Sequence, residues 1–177
     1  LNEDWMMDKM LNTFAFGGAN LENVYFDEEN RRHLNTIRQS YADLANHLAD
    51  LGRKEDANRV LVHCDTMMRE ENMPYAMPST ARGIPHNYVS LHFLQAALKA
   101  GNTELGDKIS AALKKDLNQQ AEYYQSLNDV RQSSMRYEIG ICYELLKMVE
   151  DTEKKYRMPA DSSALETEMK IDNTEAN

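Results

Sequence analysis

The five histidines and two cysteines are the groups best suited to hold a metal or act as nucleophiles, and their spacing favours neither role. His33, His47, His63, His86 and His92 contain no pair four residues apart on a helix. They also lack the His-Glu-x-x-His run that aims two imidazoles at one zinc ion. His63 adjoins Cys64, but neighbours on a helix point about 100° apart and do not share a metal easily. There is no Gly-x-Ser-x-Gly elbow, no glycine-rich phosphate loop with its lysine, and no Cys-x-x-Cys. Gly17-Gly18 has neither the longer glycine pattern nor a strand before it. Acids are plentiful, and a carboxylate pair for glycoside hydrolysis needs only to meet in space. However, no acid stands on an otherwise apolar stripe, where burial would raise its pKa. The expectation is no catalytic residue, no metal and no cofactor, with a cryptic hydrolase or transferase site as the alternative. Cys64 and Cys142 fall on apolar helix faces and read as buried thiols, a disulfide or reactive thiol being the other possibility.

Binding is a better use for the residues between 72 and 85. This stretch holds Pro74, Pro78, Pro85 and Gly83, three of the four prolines, and is a loop of a length that is often functional. Tyr75, Arg82, His86, Asn87, Tyr88 and His92 form the candidate interaction surface, because Tyr and Arg are common anchors at interfaces. Tyr123 and Tyr124 would continue it. In the competing reading, Tyr75 and Tyr88 pack the loop onto the helices and the others face water.

The elements that must position these residues are helical. Gly and Pro are scarce, at seven and four in 177 residues, which argues against a fold of many tight turns. Ala, Leu, Glu, Lys, Gln and Met are common and lose little entropy in a helix. An arm over 1–27 carries Trp5, Met6, Met7, Met10 and Leu11 in one or two amphipathic turns. Phe14, Phe16, Tyr25 and Phe26 follow as a hydrophobic strap. Asp27 caps a first long helix ending at Gly52, whose stripe is Leu34, Ile37, Tyr41, Leu44, Leu48 and Leu51. A second helix covers about 54–70, with Ala57, Val60, Leu61, Cys64, Met67 and Met68. After so short a turn the two must form an antiparallel hairpin. A third helix from Pro85 or His86 is apolar around much of its circumference and belongs at the centre. Gly101-Asn102 ends it, and Thr103 is the expected cap of a fourth, which continues to about Leu127. The fifth runs from about Val130 to Tyr156 on Met135, Ile139, Cys142, Leu146 and Val149. Residues 158–177 turn polar and acidic and read as a disordered tail.

The net charge is −9, and the densest basic groupings, Arg31-Arg32 and Lys114-Lys115, lie beside acids, so nucleic acid is not an expected partner. No apolar run approaches the roughly 20 residues of a membrane-spanning helix. The first residues, Leu1-Asn2-Glu3-Asp4-Trp5, have neither an initiator Met nor the blocks of a signal peptide, and read as the start of a fragment.

Two segments share one logic. Tyr41-x2-Leu44-Ala45-x2-Leu48-x3-Gly52-x4-Ala57-x3-Leu61 aligns with Ser90-x2-Phe93-Leu94-x2-Ala97-x3-Gly101-x4-Gly106. A turn glycine reverses the chain, and a small residue just beyond it lets the second helix approach the first. This resembles the tetratricopeptide repeat. The second copy is degenerate, with Gly106 for the usual alanine and Ser110 for the large apolar residue, and the proline loop stretches the spacing beyond the standard repeat of about 34 residues. The expected fold is all-α: antiparallel hairpins stacked as a tetratricopeptide-like, right-handed α-α superhelix of about five main helices over 28–157.

A second resemblance rests on motif order. Phe14-Ala15-Phe16-Gly17-Gly18 is followed by Asn23-Val24-Tyr25-Phe26-Asp27-Glu28-Glu29-Asn30-Arg31-Arg32. Tyr41-Ala42-x-Leu44-Ala45, Gly52-Arg53-Lys54-Glu55-Asp56-Ala57 and Asn72-Met73-Pro74-Tyr75 come after it. Together they resemble the C-terminal soluble part of a bacterial multi-spanning membrane-protein family of unknown function, whose membrane half is similar to protein O-mannosyltransferases. The resemblance implies a non-catalytic domain at the inner membrane, on the periplasmic side, with the catalytic acids in a preceding membrane portion. Its partner would be a protein or peptide, or the membrane half of its own chain.

Overall fold

The computed structural model describes residues 2–78, 80–81 and 84–157, and among them the chain is helical apart from one minimal strand pair. The helices are α1 (Glu3–Asn12), α2 (Glu28–Asp50), α3 (Lys54–Met67), α4 (His86–Lys99), α5 (Thr103–Ser126), α6 (Asp129–Ser134) and α7 (Arg136–Arg157). Between α3 and α4, β1 (Thr80–Ala81) pairs antiparallel with β2 (Ile84–Pro85). The all-α expectation holds, and α2, α3, α4, α5 and α7 are the five main helices. The tail over 158–177 lies outside the described residues, as does Arg82.

Two hairpins are built the same way. At the end of α2 the amide of Arg53 donates to Leu48 O (2.9 Å) and that of Gly52 to Ala49 O (3.1 Å). At the end of α4 the amide of Asn102 donates to Ala97 O (2.9 Å) and that of Gly101 to Leu98 O (3.0 Å). These are matching Schellman closures, which need a left-handed residue. Gly52 (φ 78°) and Gly101 (φ 83°) supply it without a Cβ penalty. Asn102, and not Thr103, caps α5, its side chain accepting from Leu105 N at 3.0 Å. Asp27 caps α2 through Asn30 N at 2.8 Å.

The hairpins α2/α3 and α4/α5 pack on each other chiefly through α2 and α4, while α7 lies against both α4 and α5. Helix α4 touches α2, α3, α5 and α7, which is why it is apolar nearly all round. Close approach of α4 and α5 depends on Gly106, where an added Cβ would lie 2.4 Å from Leu98 Cδ2 and 3.1 Å from its Cγ. Gly106→Ala would gain about 1 kcal/mol of helix propensity, but overpacking costs about 1–3 kcal/mol. A net loss of about 1 kcal/mol is expected in urea denaturation. With Leu98→Ala already present the same substitution should become stabilising, and a loss of equal size in both backgrounds would refute the contact as its cause.

The strap is held tightly. Phe16, Ala19 and Phe26 are buried in the common core. Phe16 meets the Tyr41 and His63 rings at 5.6 and 5.9 Å. The Tyr41 hydroxyl donates to Met10 O, tying α1 to α2. Ala19 O accepts both from Arg69 N at 3.1 Å and from Asn72 Nδ2 at 2.9 Å. Diverting the Arg69 amide to the strap ends α3 at Met67, short of the expected Glu70.

One expected helix is two. The chain breaks at Met135, whose amide is shared between Arg131 O and Gln132 O, and Ser134 Oγ turns back onto Arg131 O at 2.8 Å. Such local side-chain bonds compete with helix continuation, and α6 buries no residue that would hold it in line with α7. The buried line of α7 is Cys142, Leu145, Val149 and Thr152, with Met135, Ile139 and Leu146 only half-buried. The stripe expected on Leu146 is therefore rotated toward Leu145.

Candidate functional site

Three of the residues expected on an interaction surface are interior. Tyr75, His86 and Asn87 are 2%, 3% and 3% exposed, and Tyr75 and His86 hold the proline loop from beneath. The cause is Arg38, in the middle of α2 and fully buried. Its guanidinium donates to Met73 O at 2.7 Å and Pro74 O at 3.0 Å, and its Cζ sits 4.5 Å from the Tyr75 ring centroid. The Tyr75 hydroxyl donates to Asp65 Oδ1 at 2.7 Å, and Lys108 pairs with the same oxygen at 2.7 Å. His86 Nε2 lies 3.0 Å from Pro74 O, a bond that requires the proton on Nε2. Burial, helped by the adjacent Arg38 charge, pushes the His86 imidazole down to about 3. Burial also holds the Tyr75 phenol well above its ordinary value, with Arg38 opposing and Asp65 reinforcing the shift.

Tyr88 and His92 are half-buried on the other side of α4. Tyr88 faces α7 beside Glu144. Its phenol is raised by burial and then by that carboxylate. His92 Nε2 lies 2.9 Å from Asp43 Oδ1, with Asn46 Nδ2 at 3.4 Å, bridging α4 to α2. The six candidates therefore do not form one surface: three lie beneath the loop, two bridge helices, and Arg82 is outside the described residues.

The outer side of the loop does line an opening. Met77, Pro78 and Pro85 form one wall of a cleft of about 200 Å³, whose other walls are α5 and the first half of α7. Leu117 and Tyr124 project from α5, and Tyr137, Ile141 and Leu145 from α7, with Cys142 at the floor donating its thiol to Leu117 O at 3.2 Å. Polar groups line it as well. Asn87 and Gln120 line the cleft, and both donate to Asp116 Oδ2, at 2.8 and 2.7 Å, while Glu138 also lines it. Burial raises the Tyr124 phenol, and the facing charges of Glu138 and Asp116 are among the groups that raise it further. Tyr137 stands at the rim with 73% of its surface exposed.

Tyr124 was within reach of sequence reasoning, but Tyr137 and Ile141 were missed. Their signal is that they sit one step beside the main stripe of α7, widening its apolar face past what α4 and α5 cover.

Among the described residues, reactive groups do not converge elsewhere. Among the described residues, no group of three or more His, Cys, Asp and Glu side chains is placed to hold a metal ion. Cys64 and Cys142 are free and buried, and burial pushes the Cys64 thiol up to about 12, where thiolate chemistry is suppressed. Burial alone would raise Glu153, but Lys114, Ser110 and Arg157 hold it below the usual carboxylate range, the opposite of what a general acid needs. No described helix is long and apolar enough to cross a membrane. Comparison of the chain with protein-family models, with curated proteins and with solved structures returned no match.

Proposed function

We propose that this chain is a non-catalytic interaction domain of tetratricopeptide-like construction, which holds a polypeptide partner in the cleft between the proline loop, α5 and α7. The observation that carries the reading is the cleft itself. Tyr137, Ile141 and Tyr124 surround an apolar opening between packed helices that no described segment fills. Concave, mostly apolar openings with a few convergent polar groups are the usual form of a binding site.

The repeat reading is supported by the twin closures at Gly52 and Gly101, by Gly106 at the close approach, and by the pairing order in which α2, α4 and α7 are successive neighbours. In such an arrangement α7 takes the place of the first helix of a third unit. In the wider reading the domain is the soluble part of a glycosyltransferase-like membrane protein at the periplasmic face of a bacterial inner membrane.

The test is selection of displayed random linear peptides on the purified domain. Peptides should be enriched on the native sequence and lost on Ile141→Arg, whose melting temperature is checked in parallel. Enrichment that ignores Ile141→Arg, or none at all, removes the cleft as a polypeptide site.

A second reading has its own observation. Tyr25 (85% exposed), Trp5 (57%), Leu21 and Phe14 leave apolar surface along the strap and α1, which suits docking on the membrane half of the same protein. Separately expressed halves should then co-purify, and Trp5→Ser with Tyr25→Ser should part them. Halves that do not associate would count against it.

A further inference from the structure

We propose that the α5–α7 cleft takes one bulky apolar side chain of its partner and reads a lysine or arginine beside it through Glu138 and Asp116. The inference deepens the docking reading above and rests on it.

Volume limits the apolar part. A dry cavity of about 150 Å³ accommodates a benzene-sized molecule, so about 200 Å³ suits a single aromatic or branched aliphatic side chain. A row of anchors such as an amphipathic helix presents would need a longer trough. The lining matches one such group: Leu117, Ile141 and Leu145 offer aliphatic contact, and the Tyr124 and Tyr137 rings offer faces and edges.

Charge selects the neighbour. Glu138 lines the cleft, and Asp116 stands behind Asn87 and Gln120, which both bind its Oδ2 and leave Oδ1 free of hydrogen bonds from described residues. Neither carboxylate is in an ion pair among the described residues, whereas Asp65 and Glu153 each have a lysine. Among the described residues, no lysine or arginine lines the cleft. An acidic partner segment would therefore meet two like charges beside an apolar wall, where repulsion is poorly screened, and a basic one would find both of its complements. The −9 net charge of the chain adds to that bias at longer range.

The experiment is the same peptide selection, read for sequence. Enriched peptides should share a Trp, Phe, Leu or Ile next to Lys or Arg. Their affinity should fall about threefold to fivefold on Glu138→Gln, an exposed change that leaves the core alone, and should fall further with added salt. Tyr137→Ala, at the exposed rim, should weaken binding without a change in melting temperature. Peptides that depend on Ile141 but carry no cation, or that bind Glu138→Gln undiminished, would overturn the charge reading and leave the polypeptide site standing. Absence of any Ile141-dependent peptide would overturn both.

Discussion

Arg38→Ala is expected to lower the free energy of unfolding by about 4 kcal/mol, the largest loss for any single polar side chain in the fold. Two effects oppose each other at this position. Burying a guanidinium that meets no carboxylate among the described residues costs several kcal/mol, so removing it relieves a penalty. Against that, Met73 O loses its hydrogen bond from Arg38 and Pro74 O keeps only the one from His86 Nε2, and a carbonyl left bare in the interior costs about 1–3 kcal/mol. Alanine also opens a cavity beneath Tyr75 and forfeits the stack on its ring. Arg38→Met separates the two sides, because it removes the charge and keeps most of the volume. If the carbonyls decide, Met should still lose about 2 kcal/mol, and the loop over 72–78 should exchange its amides faster than α4 does. A methionine variant more stable than the native chain would show that the charge is a burden and the clamp is not needed. Urea denaturation of the three proteins at one pH is sufficient to choose.

Arg38 also shows where the sequence was legible and where it was not. The hairpins were readable because each is written locally: an apolar stripe at three- and four-residue steps, a glycine at the turn, and a small residue beyond it. Asp27 and Gly52 act within one turn of their own positions. The interior of the proline loop turns on Arg38, more than thirty residues away in the chain, and no local pattern announces that contact. Even so, a trace existed. Leu34, Arg38, Tyr41, Ala45 and Leu48 lie on one face, with the arginine in the centre of an apolar stripe, a place where a charge needs a specific partner. Once Arg38 draws the carbonyls of Met73 and Pro74 inward, Tyr75 and His86 must follow, and residues suited by type to a binding surface become struts. The cleft was hidden for a different reason. Its walls come from the loop, α5 and α7, and the rotation of α7 that brings Ile141 to the opening is fixed by packing Leu145 and Cys142 against α4 and α5. The break at Met135 was similarly out of reach, since Ser134 competes with the helix only when nothing buried holds α6 in place.

The same buried loop makes the fold sensitive to mild acid, in a range where carboxylates are still ionised. In the unfolded chain His86 takes up a proton near its ordinary value of 6.5, whereas in the fold it stays neutral down to about 3. The unfolded state therefore binds more protons throughout that window. Stability is complete above about pH 6.5 and is lost as the pH falls toward 3. Each unit of difference is worth about 1.4 kcal/mol, so by about pH 4.5 this one side chain should have cost about 2.5 kcal/mol. His63, whose imidazole is lowered by burial against Tyr41 and Phe16, adds in the same direction. His86→Gln isolates the term, since its amide can still donate to Pro74 O but does not titrate. The variant should be less stable than the native chain at neutral pH, through imperfect fit. Its loss of stability between about pH 6.5 and 4.5 should be smaller than that of the native chain by roughly 2 kcal/mol. Parallel curves for the two proteins over that range would mean that His86 gains its proton in place, beside Arg38, and that the loop interior is wetter than its geometry implies.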